Sequence, residues 1–159
     1  LTRTDPLARG VFALLVLACF GAFILTQRLK HTPTALQQFR LTPRFSPTPR
    51  GHVKQERISF KLARADEVTV TILDVAGNTV ATLVREYPVV RYKRLSLRWN
   101  GRRGTAHGYT ALIAADGATI VTPDNNGALA PAGEYRVHVF LRAQHRTVPG
   151  PRAFTLVKS

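Results

Sequence analysis

Residues 67–84 read EVTVTILDVAGNTVATLV, and this stretch decides the fold class. Over 67–74 the apolar Val68, Val70 and Ile72 alternate with Thr69 and Thr71. Successive side chains of a strand point to opposite faces, so a period of two in β-branched residues predicts a half-buried strand. Asp74-Val75-Ala76-Gly77-Asn78 follows with tight-turn chemistry: Asp74 bonds locally to the backbone and Gly77 is free to take positive φ. Residues 80–84 then complete a hairpin.

The same alternation recurs outward from this hairpin. In RISFKL (57–62), Ile58, Phe60 and Leu62 share one face; in RLSLRW (94–99), Leu95, Leu97 and Trp99 turn inward while Arg94, Ser96 and Arg98 turn outward. Residues 109–114 and 118–122 flank Ala115-Asp116-Gly117, predicting a second hairpin near 109–122. YRVHVFL (135–141) and AFTLV (153–157) add strands towards the end of the chain. Seven or eight short strands separated by turn signals, with no helical period among them, predict an all-β domain over residues 51–159, a β-sandwich of immunoglobulin-like size.

The first fifty residues read differently. Residues 10–26, GVFALLVLACFGAFILT, hold no charge and show no polar stripe of helical period. At 1.5 Å per residue they span about 25 Å, against a hydrocarbon core of roughly 30 Å, and Arg9, Gln27, Arg28 and Lys30 are placed to snorkel across the difference. The expectation is a tail over 1–9, a transmembrane helix serving as signal anchor over 10–27 with the lipid bilayer as partner, and a stalk over 28–50 that Pro33, Pro43, Pro47 and Pro49 keep from being a long helix. No small-x-small cleavage site follows the run, and the apolar sequence beyond Cys19 is wrong for a lipidated N-terminus. Arg28, Lys30, Arg40 and Arg44 outnumber Arg3 and Arg9, which by the positive-inside rule leaves the later domain in the cytoplasm.

Five groups of residues, in order along the chain, carry a resemblance: Phe45-Ser46-Pro47, Ile58-Ser59-Phe60, residues 68–74 with Gly77-Asn78, Trp99-Asn100-Gly101, and Pro131-Ala132-Gly133-Glu134-Tyr135. The region from Phe45 to Lys158 resembles the immunoglobulin-like domain of the flagellar hook-capping protein (FlgD-type). Trp99, Gly101, Pro131, Gly133 and Tyr135 are its core and motif positions. The resemblance implies an extracytoplasmic, non-catalytic domain for assembly or adhesion, and it reverses the orientation that the charge rule suggests. The chain departs from the family in two places. Residues 48–54 contain no carboxylate, which argues against calcium there, and the stretch between Trp99 and Pro131 is long enough to hold the inserted hairpin near 109–122.

Little else in the chain points to chemistry. Its five histidines and nine carboxylates show no metal-ligand spacing, and Asp124-Asn125-Asn126-Gly127 lacks the alternating ligands and closing Glu of a cation loop. Nucleotide and nucleophile motifs are missing as well, so no catalytic residue, cofactor or metal is expected. The formal net charge of +14 is the stronger signal, because it attracts polyanions. Beyond residue 40, eighteen basic residues face eight acidic ones. Arg91, Lys93, Arg94, Arg98, Arg102 and Arg103 form the candidate polyanion-binding set, on or beside one strand. The leading expectation is a membrane-anchored envelope module that contacts a protein or an acidic wall polymer. The alternative is a cytosol-facing basic domain that binds nucleic acid or anionic lipid.

Overall fold

The structure, a computed structural model, describes residues 6–30 and 34–158 and the side chains of 10–26 and 34–158. Residues 1–5 of the expected tail, and His31 and Pro33 of the expected stalk, lie outside the described residues. The chain divides into two compact units, 1–34 and 35–159.

The first unit holds helix α1 (Pro6–Lys30). Val11, Phe12, Leu14, Leu17 and Phe20 on it are exposed. Among the described residues no helix is long and apolar enough to cross a membrane. This corrects the reading of 10–27 as a transmembrane anchor with the bilayer as partner, and with it the localisation as a single-pass membrane protein. The physical reason is length: the charge-free run of seventeen residues rises only about 25 Å, short of the roughly 30 Å of hydrocarbon it would have to cross.

The second unit is built of two sheets. One has five strands in the order β1 (Leu36–Arg40), β3 (Glu56–Leu62), β6 (Arg94–Trp99), β9 (Thr119–Pro123) and β8 (Tyr109–Ile113). The other has six: β2 (Arg44–Phe45), β11 (Arg146–Leu156), β10 (Gly133–Leu141), β4 (Asp66–Asp74), β5 (Thr79–Val89) and β7 (Gly104–Thr105). The β4–β5 hairpin turns at Gly77, whose φ is +85°, and the Asn78 N–H donates to Asp74 Oδ1 at 2.8 Å. Ile58, Phe60, Leu95, Leu97 and Val121 of the first sheet and Val68, Val70, Ile72, Val137 and Val139 of the second bury into one core. Each such side chain contributes about 1.5–3 kcal/mol over its exposed state.

Trp99 anchors one end of that core. It is fully buried, with Phe45 and Tyr135 at ring-centroid distances of 5.7 Å and Phe154 at 6.0 Å. Its indole Nε1 donates to the Arg102 carbonyl at 2.8 Å, so burial leaves no orphaned donor. Gly101 takes φ +79° in the turn beyond it. Tyr135 Oη donates to the Pro131 carbonyl at 2.6 Å, and Gly133 opens β10.

The stretch read as a stalk is only partly one. Residues 36–40 are β1, antiparallel to β3, and Arg44–Phe45 pairs in parallel with β11. A bulge hides β1 from a period-two reading: the register shifts between Gln37 and Arg40, and Gln38 has φ +51°. Phe39 consequently stacks on Phe60 at 6.2 Å even though Leu36 is buried as well. Pro149 and Pro151 fall within β11, beyond the part that β2 pairs, where a free edge tolerates a missing donor.

Candidate polyanion-binding face

Strand pairing creates the site. In the β3–β6 ladder, Ile58 opposes Leu97 and Phe60 opposes Leu95, and these pairs face the core. The intervening pairs face out: Arg57 opposite Arg98, Ser59 opposite Ser96, and Lys61 opposite Arg94. Arg40 on β1 stands opposite Ser59. The outer face of the five-stranded sheet therefore carries five cations around a row of serines. Arg40, Arg57, Ser59, Arg94, Ser96 and Arg98 line a groove of about 320 Å³, with Ile120 and Asp116 on its far side.

Like charges directly opposed on a sheet are destabilising. Two such pairs flank the Ser59–Ser96 pair here with little compensation. Among the described residues only Arg94 of the five meets a carboxylate, Asp116 at 3.2 Å across the groove. The Asp116 Oδ1 also accepts the Ala118 N–H at 3.1 Å, which ties this carboxylate to its own turn.

A second carboxyl stands close in sequence without cancelling the field. Glu56, next to Arg57, turns inward and is fully buried. Burial pushes its pKa up to about 8, partly opposed by the Thr42 N–H, which donates to Oε1 at 2.8 Å. Glu56 is thus mostly neutral at pH 7. The Arg57 N–H donates to Thr42 Oγ1 at 3.3 Å, and these two bonds clasp the loop carrying Leu41 and Thr42, which form one end of the groove, onto β3.

Of the six basic residues picked out from the sequence, the fold brings Arg94 and Arg98 to this face and disperses the rest. Arg91 lies in the β5–β6 connection, where Nε donates to the Ala63 carbonyl at 3.1 Å and the guanidinium sits 4.4 Å above the Tyr92 ring. Lys93 is exposed in the same connection. Arg102 and Arg103 follow the opposite end of β6, and Arg102 donates to the Gly127 carbonyl at 3.1 Å. Arg40, Arg57 and Lys61 take their place in the face. The alternation of RISFKL signals that Arg57 and Lys61 point outward, but which strand lies beside them is a tertiary fact.

Among the described residues no three His, Cys, Asp or Glu side chains gather where they could hold a metal ion. Asn125, within the Asp-Asn-Asn-Gly run, is buried, and its Nδ2 donates to the Thr82 and Gly104 carbonyls at 3.2 and 2.7 Å. That side chain pins the 124–127 loop to β5 and β7. The chain matches no protein-family model, and it matches none of the curated proteins.

Proposed function

We propose that the β-domain is a non-catalytic binding module that grips an acidic polymer across the outer face of its five-stranded sheet. The observation that carries this reading is the pair of opposed cations, Arg57 with Arg98 and Lys61 with Arg94, joined by Arg40 and offset by one carboxylate. A row of anions spaced along a polymer would relieve the repulsion, and the two serines supply hydroxyl donors between the charges. Among the described residues no aromatic ring lines the groove, which favours a polymer held by its charge over one held by base stacking.

We also propose an immunoglobulin-like sandwich akin to the hook-capping family's domain. The Tyr135 Oη to Pro131 bond supports it, being the tyrosine-corner arrangement found in such sandwiches. That kinship favours a role in assembly or adhesion over catalysis.

The test is binding of the full chain to long-chain polyphosphate, to single-stranded nucleic acid and to neutral dextran over a range of salt. Four phosphate contacts give a slope of log K against log salt of about −3, and Arg57→Ser with Arg98→Ser should bring it to about −1.5. Polyphosphate and nucleic acid of equal charge density should bind alike, and dextran should not bind. A flat salt response, or a double variant that binds like the parent, would overturn the proposal; a strong preference for nucleic acid would replace the polymer reading with base recognition.

A further inference from the structure

Three of the four sheet edges are blunted in the ways β-proteins avoid edge-to-edge pairing. β1 has its bulge and exposed Arg40, while β2 and β7 are two residues each. The fourth edge, β8 (Tyr109–Ile113), has none of these protections. It pairs with β9 in an unbroken register, contains no proline or charged residue, and every one of its residues is exposed, Ile113 to 79% and Leu112 and Tyr109 to 53%.

The register tells which backbone groups are free. The Ala114 N–H donates to the Ala118 carbonyl at 2.8 Å and the Asp124 N–H to the Gly108 carbonyl at 2.9 Å. Hydrogen-bonded positions alternate in an antiparallel ladder, so Thr110 and Leu112 bond inward to β9, and Tyr109, Ala111 and Ile113 direct their N–H and C=O groups away from the sheet. Laid antiparallel on a second copy with Ala111 opposite Ala111, this edge is self-complementary. Ala111 meets its counterpart, Tyr109 meets Ile113 twice, and all six free groups of each strand find partners. The side-chain pairs are aromatic against β-branched on one face, a favourable combination, and Thr110 against Leu112 on the other, with no charge opposed to another.

We infer that β8 is a homodimer edge, through which two copies of this chain join their five-stranded sheets into one of ten strands. The strand carries no charge of its own, so two copies meet at the seam without opposed charges, and the repulsion between their basic faces lies away from it. The two-fold axis of such a pairing is perpendicular to the sheet, so both outer faces lie on the same side. If the outer face binds polyanion as proposed above, the two β6 strands stand five strand spacings apart, about 24 Å along the sheet, and a single polymer can engage both.

Sedimentation equilibrium of the full chain from 1 to 100 µM tests the edge, at low and at high salt. A dimer is expected, and it should tighten as salt screens the repulsion between two copies, opposite in sign to the salt dependence of polyanion binding. The two readings therefore fail separately. Ala111→Pro removes an outward N–H and leaves the β8–β9 bonds untouched, and Ile113→Lys places a charge on the seam; each should raise the dimer Kd at least tenfold. Trp99 fluorescence shows that either variant is folded, and the two are read independently so that one suffices. A parent that stays monomeric throughout, or a folded variant that dimerises as well as the parent, would overturn the inference.

Discussion

Glu56 joins chemistry to stability at a single atom. Its Oε1 accepts from Thr42, and its buried Oε2 has no partner among the described residues. A carboxyl held at about 8 in the fold and near the ordinary 4.5 when unfolded makes stability depend on pH. Below about pH 4.5 both states are protonated and the group contributes nothing. Between there and about 8 the unfolded chain binds fewer protons than the folded one, so stability falls as pH rises, by at most about 1.4 kcal/mol per unit. Glu56→Gln keeps an acceptor for the Thr42 N–H and cannot ionise. Denaturant unfolding followed by Trp99 fluorescence at pH 5, 6.5 and 8 should show the variant losing less stability than the parent over this window. Parallel losses in both proteins would mean that Glu56 is ionised in the fold. Two glycines separate backbone strain from crowding at the same scale. Gly77 and Gly101 both have positive φ, at +85° and +79°, but a Cβ on Gly77 meets nothing, whereas one on Gly101 lies 3.0 Å from Pro47 Cγ and 3.3 Å from Leu129 Cδ1. Gly77→Ala should cost about 1 kcal/mol from strain alone, and Gly101→Ala more; equal urea midpoints for the two would refute the crowding account.

At the scale of elements, the lesson lies in which strands alternate cleanly. β3, β4, β6 and β10 were legible because each runs straight through the middle of a sheet with one face buried, and Val68, Leu95 and Val137 report that face by their spacing. β1 was not, because the bulge at Gln38 breaks the period at the very residue where Phe39 must return to the core. β1 and β2 nevertheless matter to the domain. A chain begun at residue 51 loses Phe45, which is buried against Trp99 and Phe154, and exposes the flank of β3. Losing a buried Phe alone costs about 3–5 kcal/mol. Thermal melts should show cooperative unfolding for a chain begun at residue 35 and a weakened or non-cooperative transition for one begun at 51. Equal melting temperatures would show that β1 and β2 are dispensable.

For the whole molecule, charge and edges were visible at different depths. Composition alone determined that the chain is strongly basic, with its one cysteine unable to form an intrachain disulfide, and local periodicity determined that most of residues 51–159 is strand. Both follow from properties carried by neighbouring residues. The sequence also marked Trp99 and Tyr135 as core, because large aromatics flanked by turn residues rarely have another place to go. Only the tertiary structure decided that Arg57 faces Arg98, that Arg91 and Arg102 are engaged elsewhere, and that β8 is left as an unblunted edge. The physical reason is that a strand's own pattern states which side chains point outward, but its neighbours are chosen by packing among residues far apart in the chain. A binding face made across strands belongs to that choice, and so does the edge that no strand covers.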